Sequence, residues 1–395
     1  MKRQLQKALA LLLLSSILFS YTNIVVESPH AAGLYVTTQQ LNGAENLPDL
    51  SVLDVPGVDG ILIRVPWNKV ETAKGVYDFS LLDTILAKAV LNNKKIALGI
   101  IAGIYAPEFI SRKQLDYQMF NISQQGSCDN TARDAKIYLP WAPVYIDAYL
   151  NLMRNARDYF VSKGAINNLK IVKMSAIAQQ TLELRLPRLW GGTQRGKDGV
   201  ECEISNGNAI WAAAGYRPSL VVNAYSQIMQ GLISLFPNQA ISQALLEVQG
   251  FPAIREDGSV IPELLYNNGN PLNSITTGDD IVKEGIRLLG KKYFVQNTNL
   301  STFSTPANVS DRLEEARIAG ASLGWQTNIW FDRGIGCRDQ ETKDEKAHEC
   351  TDIEYQQSLQ NGVDTNGKFI EIWVKDVLNP NFNKYLPDIS AKLKD

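Results

Sequence analysis

Eight short apolar runs, separated by helix-length spacers, constrain this chain more than any other feature of its sequence. They are Gly33 to Gln40, Asp59 to Trp67, Lys95 to Gly103, Leu169 to Ala178, Ala240 to Gly250, Lys292 to Leu300, Ser322 to Phe331 and Phe369 to Val377. Runs of this length between polar or Gly-rich segments read as buried strands. The spacers carry helical periodicity. Ser80 to Asn92 places Leu81, Leu82, Ile85, Leu86, Ala89 and Val90 on one face, and Ser80 with Asp83 makes a helix-start signal. Val144 to Ser162, Pro218 to Leu235, Asp279 to Leu289 and Ser310 to Ala319 predict further helices. Such alternation favours parallel βαβ units. Eight strands, with no Gly-rich phosphate loop after the first, favour an α/β fold of the (β/α)8 TIM-barrel type over an open doubly wound sheet. Three βα loops carry long insertions, Ile104 to Asn168, Gln180 to Gln239 and Asp332 to Lys368, which would wall a cleft.

The C-terminal ends of barrel strands converge on one mouth, where chemistry sits. The strand ends here carry Gln39, Arg64, Trp67, Tyr105, Gln179, Gln249, Gln296, Asn297, Trp325, Gln326, Asn328 and Trp373. A ring of amides and aromatic residues with few charges suits a neutral, hydroxyl-rich ligand, and carbohydrate is the expected class. Trp141 and Trp190, in the long loops, join Trp67, Tyr105, Trp325 and Trp373 as candidate stacking surfaces.

Composition narrows the chemistry. The formal net charge is −2 with both signs interspersed, which argues against nucleic acid as a partner. The chain has two histidines, His30 and His348, and His30 falls with the signal or at the extreme new N-terminus, which argues against a Ser-His-Asp triad, a Cys-His pair or a histidine-ligated metal centre. No cofactor fingerprint or metal-ligand spacing is present, so no cofactor is expected. Residues 1–32 read as a secretory signal peptide. Lys2, Arg3 and Lys7 precede an apolar stretch from Ala8 to Ser20, and Ala31 and Ala32 follow. The alternative is a retained N-terminal anchor. Residues 33–395 then form a single barrel domain, secreted, periplasmic or at the cell surface, with no further integral membrane segment. The oligomeric state stays open. Four cysteines suit export, and the favoured pairings are Cys337 with Cys350 and Cys128 with Cys202.

Acid–base chemistry must fall to carboxylates. Glu183 lies just after the fourth run, in Thr181-Leu182-Glu183-Leu184-Arg185, and Arg185 or Arg188 is its structural alternative partner. Glu371 alternates with Ile370 and Ile372, so it should point into the barrel with Phe369 and Trp373. An inward carboxylate is costly unless paired or used, and Arg64 could pair with it. Glu247 reads as a structural pair. Asp59, Glu71, Asp78 and Asp83 read as solvated or capping groups.

One segment has a family character. Arg64-Val65-Pro66-Trp67-Asn68-Lys69-Val70-Glu71, followed by Lys74-Gly75-Val76-Tyr77-Asp78-Phe79-Ser80-Leu81-Leu82-Asp83, resembles the strand 2 to helix 2 region of clan A glycoside hydrolases, particularly the family 42 β-galactosidase-like barrels. Ala97-Leu98-Gly99-Ile100 and Ala106-Pro107-Glu108-Phe109-Ile110 resemble their third strand and the turn after it. The resemblance implies hydrolysis of a glycosidic bond by two carboxylates; the residues themselves offer Glu183 as acid/base and Glu371 as nucleophile or base, with Arg64 orienting a carboxylate and Gln39, Gln296, Asn297 and Gln326 binding hydroxyls. Two departures stand against it. The clan's Asn-Glu at the end of strand 4 is replaced by Ala178-Gln179-Gln180, and Gln326 stands near the place of the strand 7 nucleophile. The rival expectation is therefore a catalytically silent, carbohydrate-binding barrel.

Overall fold

The structure, a computed structural model, describes residues 31–43, 46–122, 133–188, 190–195, 201–245, 250–263, 277–307, 311–327 and 350–395. All eight expected strands form. They are β1 (Gly33–Thr37), β2 (Val58–Pro66), β3 (Lys95–Ile101), β4 (Leu169–Lys173), β5 (Ala240–Leu245), β6 (Tyr293–Leu300), β7 (Ser322–Thr327) and β8 (Gly367–Trp373). Each pairs in parallel with the next, and β8 returns to pair with β1, with Gly33 opposite Phe369 and Thr37 opposite Trp373. The sheet is a closed eight-stranded (β/α)8 barrel.

The strands read as continuous apolar runs because both faces are buried. Ile61, Ile63 and Val65 of β2, Leu98 and Ile100 of β3 and Ile370 and Ile372 of β8 point outward, against the helices. Tyr35, Leu62, Ala97, Ile171, Ala240, Phe294 and Phe369 point inward and fill the lower barrel. Gly324 on β7 belongs to this filling, since a methyl there would overlap the Phe369 ring. Each large apolar side chain so buried contributes about 1.5–3 kcal/mol.

The outer helices are α1 (Asp83–Leu91), α2 (Pro143–Ser162), α3 (Pro218–Leu235), α4 (Thr277–Leu289), α5 (Asp311–Ile318), α6 (Asp352–Asp364) and α7 (Leu386–Lys394). The start of α1 differs from expectation. Ser80 begins a 3-10 turn, and Asp78 accepts the Ser80 N–H at 2.9 Å. The Asp83 carboxylate instead meets Tyr159 of α2 and Lys163 at the C-cap of that helix. Helix α6 starts with a capping box, in which Thr351 Oγ1 accepts the Glu354 N–H and Glu354 accepts the Thr351 N–H. Among the described residues, no helix is long and apolar enough to cross a membrane.

The N-terminal end of the barrel is closed by a clasp on Asp59. Its carboxylate accepts the Leu34 N–H at 2.9 Å and the Ser390 hydroxyl at 2.7 Å, and it pairs with Lys394 at 2.5 Å. Asp59 is thus a structural hub, not a solvated group. Ala31 is buried in the barrel floor, its carbonyl accepting the Tyr35 hydroxyl at 2.8 Å, while the Ala32 carbonyl accepts from Lys95. Both alanines belong with the barrel, although the sequence reading ended the leader after them. The remainder of that leader lies outside the described residues.

Candidate active site at the barrel mouth

The inward alternation that places Phe369 in the floor places Glu371 one layer higher. Glu371 is 1% exposed and forms an ion pair with Lys173 of β4, also 1% exposed. Gln296 of β6 bridges the two, donating from Nε2 to Glu371 at 2.7 Å and accepting from Lys173 Nζ at 2.6 Å. The partner expected for Glu371 was Arg64. The partner found is Lys173, which alternates inward on β4 in the same phase as Ile171. Burial drives the Lys173 ammonium below the usual lysine range, and the facing Glu371 carboxylate opposes that shift. Removing either partner would strand a buried charge, at a cost of about 3–5 kcal/mol.

Glu183 is near this triad, close enough for its charge to act on Lys173. After β4 the chain crosses toward β3, where Gly103, at φ +59°, lets the backbone approach the Ala178 and Gln179 carbonyls. It then drops Leu182 onto Gly99 inside the mouth and returns to pair Glu183–Leu184 in parallel with Ala244–Leu245 of β5. Ala244 also pairs with Gln296, so Glu183 is in register, through β5, with the amide that bridges the ion pair. Its Oε2 is buried without a hydrogen-bond partner. Arg185 does not pair with it and donates instead to Thr181 Oγ1 at 3.4 Å.

Other groups at the mouth are also under-used. Thr37 Oγ1, Arg64 Nε, Gln180 Oε1 and Arg185 Nε are buried and lack partners. Buried polar groups are normally bonded, so such a concentration at one end of a barrel marks a place where ligand atoms fit. A cleft of about 310 Å³ opens between the ends of β1 and β8, lined by Thr37, Gln39 and Trp373 among others; Arg64 does not line it but lies behind its Trp373, 5.9 Å from the ring centre. The Trp373 indole is held by its N–H to the Thr327 carbonyl at 3.1 Å.

The remaining sequence candidates divide. Tyr105 packs on the inward cluster at the mouth, and Gln326 is half-buried at the end of β7, opposite Glu371. Gln179 is half-buried, with its carbonyl accepting the Ile104 N–H. Three candidates are turned away from the mouth. Trp325, 2% exposed, alternates outward into the strand–helix layer. Asn297 shares that outward phase and accepts the Asn299 N–H at 2.7 Å. Trp67 is buried against Tyr145 and Tyr149. Its indole donates to Glu71 at 2.7 Å, and Glu71 accepts the Gly75 N–H at 3.1 Å. Glu71 is therefore buried and structural, not solvated. Trp141 is core as well, packed on Trp211 and Tyr216. Gln249, Asn328, Glu247, both histidines, Cys128 and Cys337 lie outside the described residues, as do the side chains of Trp190 and Cys202. Cys350 is buried and is one half of a disulfide whose partner is not among the described residues. Lys173, Thr37 and Gln180 were missed from sequence. Inward alternation would have found the first two.

The two long loops that follow β3 and β4 each carry a hairpin. The hairpin of Tyr117–Ile122 with Arg133–Tyr138 meets the hairpin of Trp190–Arg195 with Glu201–Asn206, where the Asn121 N–H donates to Ser205 at 2.7 Å. Among the described residues, no group of three His, Cys, Asp or Glu is placed to hold a metal ion.

No protein-family model and no curated protein matches the chain. Solved structures do. The β-amylase catalytic domain of Paenibacillus polymyxa is similar over 92% of this chain and 100% of its own, with a TM-score of 0.55 and 12% identity. The β-galactosidase of Rahnella sp. R3 is similar over 94% of this chain, with a TM-score of 0.53 and 10% identity. That of Marinomonas ef1 is similar over 91%, with a TM-score of 0.50 and 9% identity. The chain spans 57% and 59% of these two β-galactosidases. At such identities the likeness carries the fold. The expected resemblance to the clan A barrels of glycoside hydrolases therefore holds as architecture, and family 42 is not singled out.

Proposed function

We propose that this chain is an exported glycosidase that binds a saccharide at the C-terminal mouth of its barrel and cleaves it with carboxylates. The observation that carries the reading is Glu183. Its buried Oε2 has no partner, its charge acts on the Lys173 ammonium that pairs with Glu371, and several other polar atoms of the mouth are left unbonded. A carboxyl group so placed can give a proton to a leaving oxygen. Glu371 is the second carboxylate, held by Lys173 and Gln296. The fold shared with a β-amylase and two β-galactosidases supports the reaction class. Export is supported by the leader-like N-terminus, with cleavage before Ala31 because that residue fills the barrel floor. The Cys337–Cys350 and Cys128–Cys202 pairings belong to the same reading, and non-reducing peptide mapping tests them.

A second reading, saccharide binding without turnover, has two observations of its own. Gln326 stands opposite Glu371 where a strand 7 carboxylate was expected, and Glu371 is already engaged by Lys173. Incubation with a glycan panel, read for both binding and product, separates the two. Product release supports the glycosidase. Binding without product supports the silent barrel, and neither activity contradicts both.

A further inference from the structure

The charged groups at the mouth are unevenly paired. Lys173 and Glu371 neutralise each other, with the Glu183 carboxylate nearby. Arg64, towards the end of β2, has no ion-pair partner among the described residues. Its Nη1 donates to the Thr38 carbonyl at a long 3.4 Å, its Nε is buried and unbonded, and its guanidinium lies 5.9 Å from the centre of the Trp373 ring. No ion pair to a carboxylate is formed by Arg64 among the described residues. The family pattern expects an arginine here to orient a carboxylate of the protein, but Gln326 ends β7 and Glu371 is taken by Lys173 and Gln296.

The adjoining cleft has the same bias. Its described lining includes Thr37, Gln39, Asn46, Trp373 and Lys375, and contains no acidic residue. Thr37 brings an unbonded buried hydroxyl, Gln39 an exposed amide, and Trp373 a ring. These groups suit the hydroxyls and the apolar face of a pyranose. A half-buried guanidinium with an unbonded Nε has donors to spare for a planar carboxylate, which a guanidinium can bind with two parallel hydrogen bonds.

We propose that the saccharide taken at this mouth bears a carboxylate, as a uronic acid residue does, and that Arg64 is the specificity residue that receives it. This rests on the saccharide reading of the mouth and departs from the neutral ligand expected from sequence. Two charge-assisted hydrogen bonds correspond to a preference of about ten- to a hundredfold over the neutral sugar.

The test is titration calorimetry with matched oligosaccharides: galactose against galacturonate, glucose against glucuronate, and 6-sulfated galactose. We expect at least one uronate to bind tenfold or more tighter than its neutral partner. Arg64→Met should bring that ratio close to one. Arg64→Lys, which keeps the charge and the bulk but not the fork, should leave a reduced ratio that falls with added salt. Equal or tighter binding of the neutral sugars overturns the proposal and leaves the saccharide reading standing. So does tighter binding of the sulfated sugar, or a uronate preference unchanged in both Arg64 variants. Failure of every saccharide to bind overturns the saccharide reading, and this proposal with it.

Discussion

The two ends of the barrel are built on opposite terms. At the N-terminal end Asp59 spends both carboxylate oxygens on a backbone N–H, a hydroxyl and an ammonium, and Lys95 and Tyr35 close on the Ala32 and Ala31 carbonyls. At the C-terminal end Thr37, Arg64, Gln180, Glu183 and Arg185 each hold a buried polar atom with nothing to bond. The same strands supply both ends, so the contrast is a property of position along them. A saturated end contributes stability. An end with spare donors and acceptors is stabilised less and is ready for a ligand, which is the division of labour expected of this fold.

Substitutions at the two ends should therefore fail differently. The largest effect belongs to Glu183. Glu183→Gln should lower turnover by roughly two to four orders of magnitude with little change in melting temperature, since it removes a proton donor and no folded-state bond. A variant with normal turnover would take Glu183 out of the chemistry. Next comes the buried pair near it. Lys173→Met should destabilise the fold by about 3–5 kcal/mol in urea titration, while the double variant Lys173→Met/Glu371→Leu should recover much of that loss. A double variant as unstable as the single one would show that the charge of Glu371 is not what Lys173 balances.

Asp59→Ala tests the other end. It should cost about 1–3 kcal/mol by leaving the Leu34 N–H unpaired, and saccharide affinity should not move. A loss of affinity there would erase the contrast between the two ends. The smallest effect is a pH dependence. A lysine held below its ordinary value of 10.5 binds fewer protons folded than unfolded. Stability therefore gains a contribution as pH rises through the depressed value toward 10.5. Lys173→Met should flatten that segment of a stability–pH curve, and an unchanged curve would assign the titration elsewhere.

Much of this was legible in the sequence, for reasons particular residues make clear. A strand buried on both faces is a run of apolar residues, and that signal survives without any partner being known. The inward alternation of Phe369 and Glu371 was readable for the same reason. Lys173 was hidden because a lysine inside Ile171-Val172-Lys173-Met174 looks like the polar end of a strand, and only the closed barrel shows that Glu371 faces it. The Arg64 to Asp83 motif located the fold more surely than the site. Its tryptophan, glutamate and glycine are bonded to each other in one turn, so most of what it encodes is the clasp and not the chemistry. Trp325 and Asn297 were misplaced because a strand end was treated as a point, when its two phases lead to opposite sides of the sheet. Helix α6 escaped because its apolar face, around Tyr355 and Leu359, is interrupted by amides and a serine.

The central claim is that the open hydrogen-bonding capacity at the mouth belongs to a bound saccharide. Hydrogen–deuterium exchange with and without the tightest-binding oligosaccharide of the matched set measures this directly. The account predicts added protection in peptides spanning 37–40, 175–186 and 373–375, and none in 31–34 or 386–395. Protection at the Asp59 end, or binding that protects neither end, would contradict it.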